Sequence, residues 1–247
     1  MRAIVFSLLF ALCLAPCSAM DRGTFGEFRR SLNTTTYGYR LIKDFTGKAP
    51  AKEIEAFEVH PGDASKDAWY DDTKNDRERS ELSQIQKDQK PGDTLWYGWY
   101  LYLPQNYQNI FPVKVTLGQF HQESARPAWM FENADGGYWI YNQVSRKTKE
   151  KHPLIDESNL RGKWHKIEVQ THWSKDSDGF FKVWVNGALK VDYKGATMSA
   201  ERVYFKYGLY RSFLSRYAKA GKLGQVPAQT AYYACVKRGN SRAAIQP

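Results

Sequence analysis

Residues 203–211 read VYFKYGLYR, and this stretch decides the fold class. Apolar or aromatic side chains take every second position from Val203 onward, whereas the positions between them carry Tyr204, Lys206 and Tyr210. Successive side chains of a strand point to opposite faces of a sheet, so this alternation predicts a β-strand with one buried face. The second face carries a lysine and tyrosines, and that is unusual enough to need an explanation.

Alternating runs of the same kind recur along the 247 residues. The predicted strands are two between 37 and 60, then 79–85, 95–103, 113–122, 129–132, 138–144, 164–173, 180–185, 189–193, 203–211 and 232–236. Hairpin turns are predicted at Asn186-Gly187 and at 135–137. At least ten strands without a convincing amphipathic helix predict a single all-β domain, a β-sandwich or jelly roll. Residues 145–163 are basic and irregular, and we expect an exposed loop there.

The first nineteen residues resemble a secretory signal peptide. Arg2 precedes an apolar run from Ile4 to Leu14, and the small residues before Met20 suit a cleavage site. The expected mature domain is therefore 20–247, secreted to the periplasm or beyond, with no membrane insertion. Only Cys235 would remain after cleavage, which leaves no disulfide framework and no cysteine-based metal site.

The composition suggests an anionic partner. The formal net charge is +10, and a secreted protein this basic is suited to an acidic polysaccharide. We expect no nucleic-acid partner, because no nucleic-acid-binding motif is present. We expect the protein to be a monomer.

The segment 61–78 is rich in acidic residues. Its aspartates are Asp63, Asp67, Asp71, Asp72 and Asp76. They could supply oxygen ligands to a structural calcium ion, but their spacing does not match an EF-hand, and a solvated loop is the simpler interpretation. No other cofactor is expected to be required.

Three predicted strands carry polar side chains opposite their apolar residues. These side chains are Arg79 and Glu81 in the first strand, Gln119 and His121 in the second, and Tyr204, Lys206 and Tyr210 in the third. Each alone could be an ordinary exposed residue, since solvent-facing strand positions are usually polar and a surface ion pair contributes little. If the three strands are neighbours in one sheet, however, the side chains would line a single groove.

The order of these segments resembles the three-motif signature of the jelly-roll polysaccharide lyases. RSEL at 79–82, QFH at 119–121 and YFKYGLY at 204–210 are similar to R-[ST]-E-L-R, Q-[IV]-H and Y-F-K-A-G-x-Y-N-Q of the alginate lyases. The heparin lyase I-like and glucuronan lyase families look similar. The resemblance extends from about residue 79 to 239. It departs from the alginate pattern at Ser83, Tyr207 and Arg211-Ser212, which leaves the choice of uronan open.

The resemblance implies a lyase that cleaves a uronate-containing polysaccharide by β-elimination. Arg79, Gln119 and His121 would surround the carboxylate of the reacting sugar, and Tyr210 would protonate the leaving oxygen. The base would be Tyr210 in a syn elimination and His121 in an anti elimination.

The supporting roles are expectations of the same kind. Lys206, Glu81 and Tyr204 would bind substrate, with Glu81 orienting Arg79. We expect Lys206, about 13 Å from Tyr210 along the strand, to serve an adjacent sugar. We also expect cationic neighbours to lower the pKa of Tyr210. Gly208 would leave room for a sugar ring.

Two other functions are compatible with such a groove. One is a non-catalytic sandwich that binds acidic glycans without cleaving them. The other is a glycoside hydrolase, which needs paired carboxylates, and no E-x-D-x-x-E run is present. Endo or exo action is not predicted.

Overall fold

The computed structural model describes residues 18, 20–31, 35–66, 71–145 and 150–247. The predicted signal peptide lies outside these residues apart from Ser18, and so do Asp67 and the basic residues Arg146, Lys147 and Lys149. Within the described ranges, none of the helices has the length and apolar character needed to cross a membrane.

Fourteen strands are found in the described residues, and they form two antiparallel sheets. The strands are β1 (Phe28–Arg30), β2 (Tyr39–Lys43), β3 (Glu53–Val59), β4 (Arg77–Gln84), β5 (Thr94–Tyr102), β6 (Lys114–Gln122), β7 (Trp129–Ala134), β8 (Gly137–Asn142), β9 (Glu150–Ile155), β10 (Trp164–His172), β11 (Phe180–Val185), β12 (Ala188–Lys194), β13 (Val203–Ser212) and β14 (Gln229–Gly239). The first sheet has the order β1-β4-β13-β6-β7-β8-β9, and the second has the order β12-β11-β10-β5-β14-β3-β2. Two short helices, α1 (Glu157–Leu160) and α2 (Ser215–Lys219), and two 3₁₀ turns, Thr73–Asn75 and Ala243–Ile245, complete the fold. The predicted all-β jelly-roll sandwich is confirmed.

The core lies between the two sheets and is mainly aromatic. Trp99 of β5 contacts Phe131 of β7 edge to face, with ring centroids 5.1 Å apart, and Phe205 of β13 packs on Phe120 of β6 at 5.0 Å. Burial of such large rings supplies most of the driving force for closing a sandwich. The apolar face of VYFKYGLYR is part of this core, as the sequence predicts.

The three strands that carry the sequence motifs are neighbours. β13 lies between β4 and β6, pairing Tyr210 with Arg79 on one side and Lys206 with Gln119 on the other. The polar faces of these strands therefore form one surface on the outer side of the first sheet. This is the adjacency that the groove hypothesis requires.

The regular alternation is interrupted near the middle of this surface. The β13–β6 register shifts between Tyr207 and Tyr210, and Gly208 has φ +127°. A Cβ atom on Gly208 would lie 2.4 Å from the Ser80 carbonyl oxygen and 2.7 Å from the Phe57 ring. The glycine is thus required by its backbone conformation and by close packing beneath the strand. The expectation that it makes room for a sugar ring was wrong.

The prediction of an irregular loop at 145–163 was wrong for residues 150–160. Residues Glu150–Ile155 form β9, and Glu157–Leu160 form α1. Only Leu154 and Ile155 of β9 are buried, because β9 is the edge of its sheet and its other side chains face solvent. Charged residues are common on edge strands, where they discourage pairing with other chains, and this composition hid the strand.

Two departures from the alginate-lyase pattern have buried carboxylate partners. Tyr207 points into the core, and its hydroxyl lies 2.9 and 3.1 Å from the two oxygens of Glu55, which Arg22 also grips with two hydrogen bonds. Arg211 is fully buried and forms an ion pair with Glu78. Both substitutions therefore belong to the packing of the sandwich and not to the groove.

Candidate active site

A cavity of about 630 Å³ opens on the outer face of the first sheet, above β4, β13, β6 and β7. Its lining is rich in cations and aromatic rings. The lining residues are Arg77, Arg79, Lys114, Gln119, His121, Pro127, Met130, Glu132, Gln143, Tyr204, Lys206, Tyr210, Ser212, Phe213 and Arg216. Six of the seven predicted site residues are in this set, and Glu81 is the exception.

Glu81 lies beneath the cavity floor with its side chain 1% exposed. It accepts hydrogen bonds from Lys206 at 2.8 Å and from Gln119 at 2.6 Å, and Arg79 is 3.5 Å away. Burial alone would raise its pKa, but the charges of Lys206 and Arg79 outweigh burial and lower it. A substrate-binding role for Glu81 does not fit this geometry. It is a buried anion that holds three cavity residues in place.

Arg79 is anchored by a second buried carboxylate, that of Asp72. Its guanidinium donates two hydrogen bonds to Asp72, at 2.7 and 2.5 Å, and lies 4.4 Å from the ring centroid of Tyr210. Burial opposes its charge, but the hydrogen bonds to Asp72 together with the charges of Glu81 and Asp72 outweigh burial and raise the pKa of Arg79. The predicted orientation of Arg79 therefore depends on Asp72 more than on Glu81.

His121 is held in one tautomer. Its Nδ1 lies 2.8 Å from the Gln122 carbonyl oxygen and 3.1 Å from the Tyr204 hydroxyl. Because a carbonyl only accepts hydrogen bonds, we assign the ring proton to Nδ1, which leaves the lone pair on Nε2. Burial, together with the charge of Lys206, lowers the pKa of His121 to about 4. The imidazole is therefore neutral at neutral pH and can accept a proton at Nε2.

Tyr210 is the second proton-transfer candidate, and its environment differs from the expectation. Burial raises its pKa, and the lowering effect of Arg79 and Arg77 is smaller. The expectation of a lowered pKa was wrong, because the same burial that brings the arginines close also penalises the phenolate. Tyr210 is a neutral phenol at neutral pH, suited to give a proton.

Lys206 is nearer to Tyr210 than the strand spacing suggests. Its Nζ lies 5.9 Å from the Tyr210 ring centroid, because the long side chain reaches along the strand toward Glu81. The strand spacing therefore no longer supports assigning Lys206 to an adjacent sugar, and this role stays an untested prediction. Burial lowers the pKa of Lys206, although the nearby Glu81 carboxylate acts in the opposite direction.

Several lining residues were missed by sequence reasoning. Arg77 could have been found, since it lies two positions before Arg79 on the same face of β4. Lys114 was hidden because β6 has an extra residue relative to β7 between Thr116 and Gly118, so counting in twos from Gln119 fails. Glu132 follows Met130 by two positions on the same face of β7, but it belongs to none of the three motifs. Phe213 and Arg216 follow the end of β13 and have no periodic signal.

The aspartates considered for calcium are engaged with protein groups. Asp72 holds Arg79, Asp63 accepts a hydrogen bond from Tyr37 at 2.7 Å, and Asp76 accepts two from Ser215. Among the residues that the structure describes, no group of three or more acidic, histidine or cysteine side chains is placed to hold a metal ion. Asp67 is outside that set, so a structural calcium ion stays an untested prediction.

Comparison with known proteins finds similarity to polysaccharide lyases, both in sequence and in fold. A family model described as polysaccharide lyase matches residues 27–237. Among solved structures, an endo-β-1,4-glucuronan lyase from the fungus Trichoderma reesei superposes with a TM-score of 0.65 at 18% identity, covering 91% of this chain and 95% of that one.

Two alginate lyases superpose less closely. One, AlgAT5 from polysaccharide lyase family 7, has a TM-score of 0.52 at 14% identity, covering 81% of this chain and 80% of that one. The other, A1-II′, has a TM-score of 0.53 at 16% identity, covering 84% and 83%. No curated protein matches the sequence.

Proposed function

The chain belongs to the polysaccharide lyase family, and we propose that it is a secreted enzyme that cleaves a uronate-containing polysaccharide by β-elimination. One observation carries this proposal: three adjacent strands bring Arg79, Gln119, His121 and Tyr210 to a single cavity. Gln119 and His121 are neighbours on one face of β6, but Arg79 and Tyr210 come from strands distant in sequence, so the convergence of the three strands is a product of the fold. A cationic cavity of this kind suits an anionic chain.

The first requirement of the reaction is to neutralise the uronate carboxylate. Removal of the C5 proton spreads negative charge onto this group, and fixed hydrogen-bond donors stabilise charge that develops in a transition state. Gln119 uses one amide hydrogen for Glu81 and retains a second for substrate. Arg79 supplies positive charge from a position fixed by Asp72. We expect these two residues to face the carboxylate.

The second requirement is a base and an acid with different proton affinities. His121, neutral with its lone pair on Nε2, takes the C5 proton. As the C4–O4 bond breaks and a C4–C5 double bond forms, the phenol of Tyr210 gives its proton to O4. The low pKa of the histidine and the raised pKa of the tyrosine support this division of roles over one in which Tyr210 acts as both base and acid. Since H5 and O4 of a glucuronate lie on the same face of the ring, both groups would act from that face on polyglucuronate, in a syn elimination.

Polyglucuronate is the first substrate to test. The glucuronan lyase superposes over more of this chain, and with a higher TM-score, than the two alginate lyases described above. We therefore propose polyglucuronate as the preferred polymer, with alginate a weaker substrate.

The proposal is tested by incubating the purified protein with polyglucuronate, alginate and heparin and following the ultraviolet absorbance of the unsaturated uronate product. An increase with polyglucuronate is expected. Failure of all three polymers to give unsaturated product would overturn the proposed reaction. Secretion is tested separately, by fractionating the producing cells and determining the N-terminal residue of the exported protein.

A further inference from the structure

The cations that line the cavity differ in how their charge is balanced. Arg79 pairs with Asp72, Lys206 with Glu81 at 2.8 Å, and Lys114 with Glu132 at 3.3 Å. Arg77 and Arg216 are the remaining lining cations, and neither forms an ion pair with any residue that the structure describes. The excess positive charge of the cavity therefore comes from these two arginines, which sit beyond Tyr210 at the end of β13.

Both arginines are organised around one aromatic ring. The Cζ atom of Arg216 lies 4.0 Å from the ring centroid of Phe213, and that of Arg77 lies 5.4 Å away. Phe213 is 37% exposed, so its ring is accessible from the cavity. Contact with a ring face restrains a guanidinium at little electrostatic cost and leaves its hydrogen-bond donors free to bind other groups. Arg77 uses one of its five donors for the Asn75 carbonyl oxygen, at 2.7 Å.

The backbone that presents Phe213 is in an unfavourable conformation. Phe213 has φ +63° and Asp76 has φ +59°, both in the left-handed region that side chains other than glycine rarely adopt. The two residues stabilise each other, since the Phe213 amide donates to the Asp76 carbonyl at 3.0 Å and the Asp76 carboxylate accepts two hydrogen bonds from Ser215. Strained residues held in this way are concentrated at functional sites.

We propose that Arg77 and Arg216, positioned by Phe213, bind the carboxylate of a uronate next to the one that is cleaved. The proposal rests on the lyase function described above. Planar guanidinium groups with unused donors are suited to gripping a carboxylate, and a substrate carboxylate would supply the counter-charge that the cavity lacks. The arginine pair would thus select polymers in which uronates follow one another, over polymers that alternate a uronate with an uncharged sugar.

The test compares Arg77→Ala, Arg216→Ala and the double variant on polyglucuronate. Each single variant should raise KM about tenfold, because one charge-assisted contact is lost. For Arg216→Ala kcat should change less than about threefold, whereas Arg77→Ala also removes a charge that acts on the pKa of Tyr210 and is judged by KM alone. The double variant should raise KM about a hundredfold. Lys219→Ala is the matched control, since Lys219 is an exposed cation of the same helix α2 that does not line the cavity.

A second substrate identifies the group that the arginines bind. Partly carboxyl-reduced polyglucuronate should have a raised KM with the wild-type protein, whereas KM of the double variant should be nearly the same for the reduced and unreduced polymers. The subsite would be refuted if KM of both arginine variants stayed within twofold of the wild-type value, or changed no more than in Lys219→Ala. The proposed reaction would remain intact.

A binding measurement on an inactive variant tests the carboxylate subsite independently of the reaction. Calorimetric titration of Tyr210→Phe with an oligoglucuronate should show affinity that falls about tenfold on adding Arg216→Ala. If the wild-type protein gave no unsaturated product but this loss of affinity were seen, the reaction would be refuted and the carboxylate subsite supported. Equal affinity with and without Arg216→Ala would refute the subsite whatever the activity.

Discussion

Lys206 Nζ lies 2.8 Å from Glu81 Oε2, and neither side chain is more than a tenth exposed. Glu81 also accepts a hydrogen bond from Gln119. One buried carboxylate therefore fixes Lys206, which is on the same strand as Tyr210, and Gln119, which is on the neighbouring strand β6. Fixed donors need no reorganisation when charge develops during a reaction. The floor of the cavity is therefore preorganised, and its stability depends on this ion pair remaining complete.

Removing Glu81 should destabilise the whole domain. Glu81→Ala leaves Lys206 without its counter-ion in a buried site, and breaking one half of such a pair costs about 3–5 kcal/mol. The free energy of unfolding is measured by urea denaturation. Lys206→Met combined with Glu81→Gln should recover much of the loss, whereas Glu123→Ala, which breaks an exposed pair with Lys87, should cost at most about 1 kcal/mol. Equal effects of the two alanine variants would contradict this account.

Tyr210→Phe should lower kcat by about 10²-fold or more, because a positioned acid typically contributes that much. The phenylalanine ring preserves the packing against Arg79, 4.4 Å from the ring centroid, so the thermal unfolding temperature should change little. Formation of unsaturated product measures kcat. Tyr204→Phe provides the comparison, since the Tyr204 hydroxyl lies 3.1 Å from Nδ1 of the His121 imidazole. A larger loss for Tyr204→Phe than for Tyr210→Phe would transfer the acid role to Tyr204.

The lowered pKa of His121 predicts two pH effects. The folded value is about 4 against an ordinary 6.5, so as the pH falls below 6.5 the unfolded chain binds a proton before the folded protein does. This difference lowers stability progressively between pH 6.5 and about 4. The acid limb of kcat/KM should accordingly lie near pH 4, and a limb near 6.5 would argue against His121 as the base.

The stability effect is isolated by His121→Asn, which should lose less stability than the wild type between pH 6.5 and 4.5, measured by urea denaturation. His165, whose pKa is also lowered by burial, contributes in the same window. His165→Asn is therefore the matched control, because it should flatten the same part of the stability curve without abolishing activity. Identical pH dependence of stability in His121→Asn and the wild type would contradict the burial of His121.

The motif strands were predictable because period-two patterns report directly on the two faces of a sheet. Arg79, Gln119 and Lys206 could be placed on one face from their sequence neighbours alone, and the resemblance to lyases supplied the order of the strands. The adjacency of β4, β13 and β6 involves residues more than 80 positions apart, which no local pattern encodes. Only the family resemblance made it predictable.

The errors have two physical causes. Register shifts at β6 and β13 break the counting on which face assignments depend, and the shift in β6 concealed Lys114. Burial was also underestimated, since Tyr210 was expected to have a lowered pKa from its cationic neighbours. The desolvation of a phenol depends on how many strands and loops surround it, and the sequence of β13 alone does not contain that information.

Tyr207→Ala introduces the residue typical of alginate lyases, and we expect it to destabilise this protein. The ring fills space between the sheets and its hydroxyl contacts Glu55, so the substitution should cost about 3–5 kcal/mol, as for other buried aromatic residues. Tyr207→Phe should cost only about 1–2 kcal/mol, since Glu55 keeps its two hydrogen bonds to Arg22. Urea denaturation compares the variants. A Tyr207→Ala protein as stable as the wild type would show that the Glu55 cluster is dispensable.

The left-handed conformation of Phe213 gives a prediction in which stability and activity separate. At φ +63° glycine is unstrained, whereas alanine pays the full steric penalty, so Phe213→Gly should be more stable than Phe213→Ala by about 1–2 kcal/mol. Both variants remove the ring that restrains Arg77 and Arg216, and both should raise KM for polyglucuronate by a similar factor. Thermal unfolding and steady-state kinetics measure the two effects. If KM followed stability, with the glycine variant close to the wild type, the ring would not position the arginines and its role would be confined to the turn.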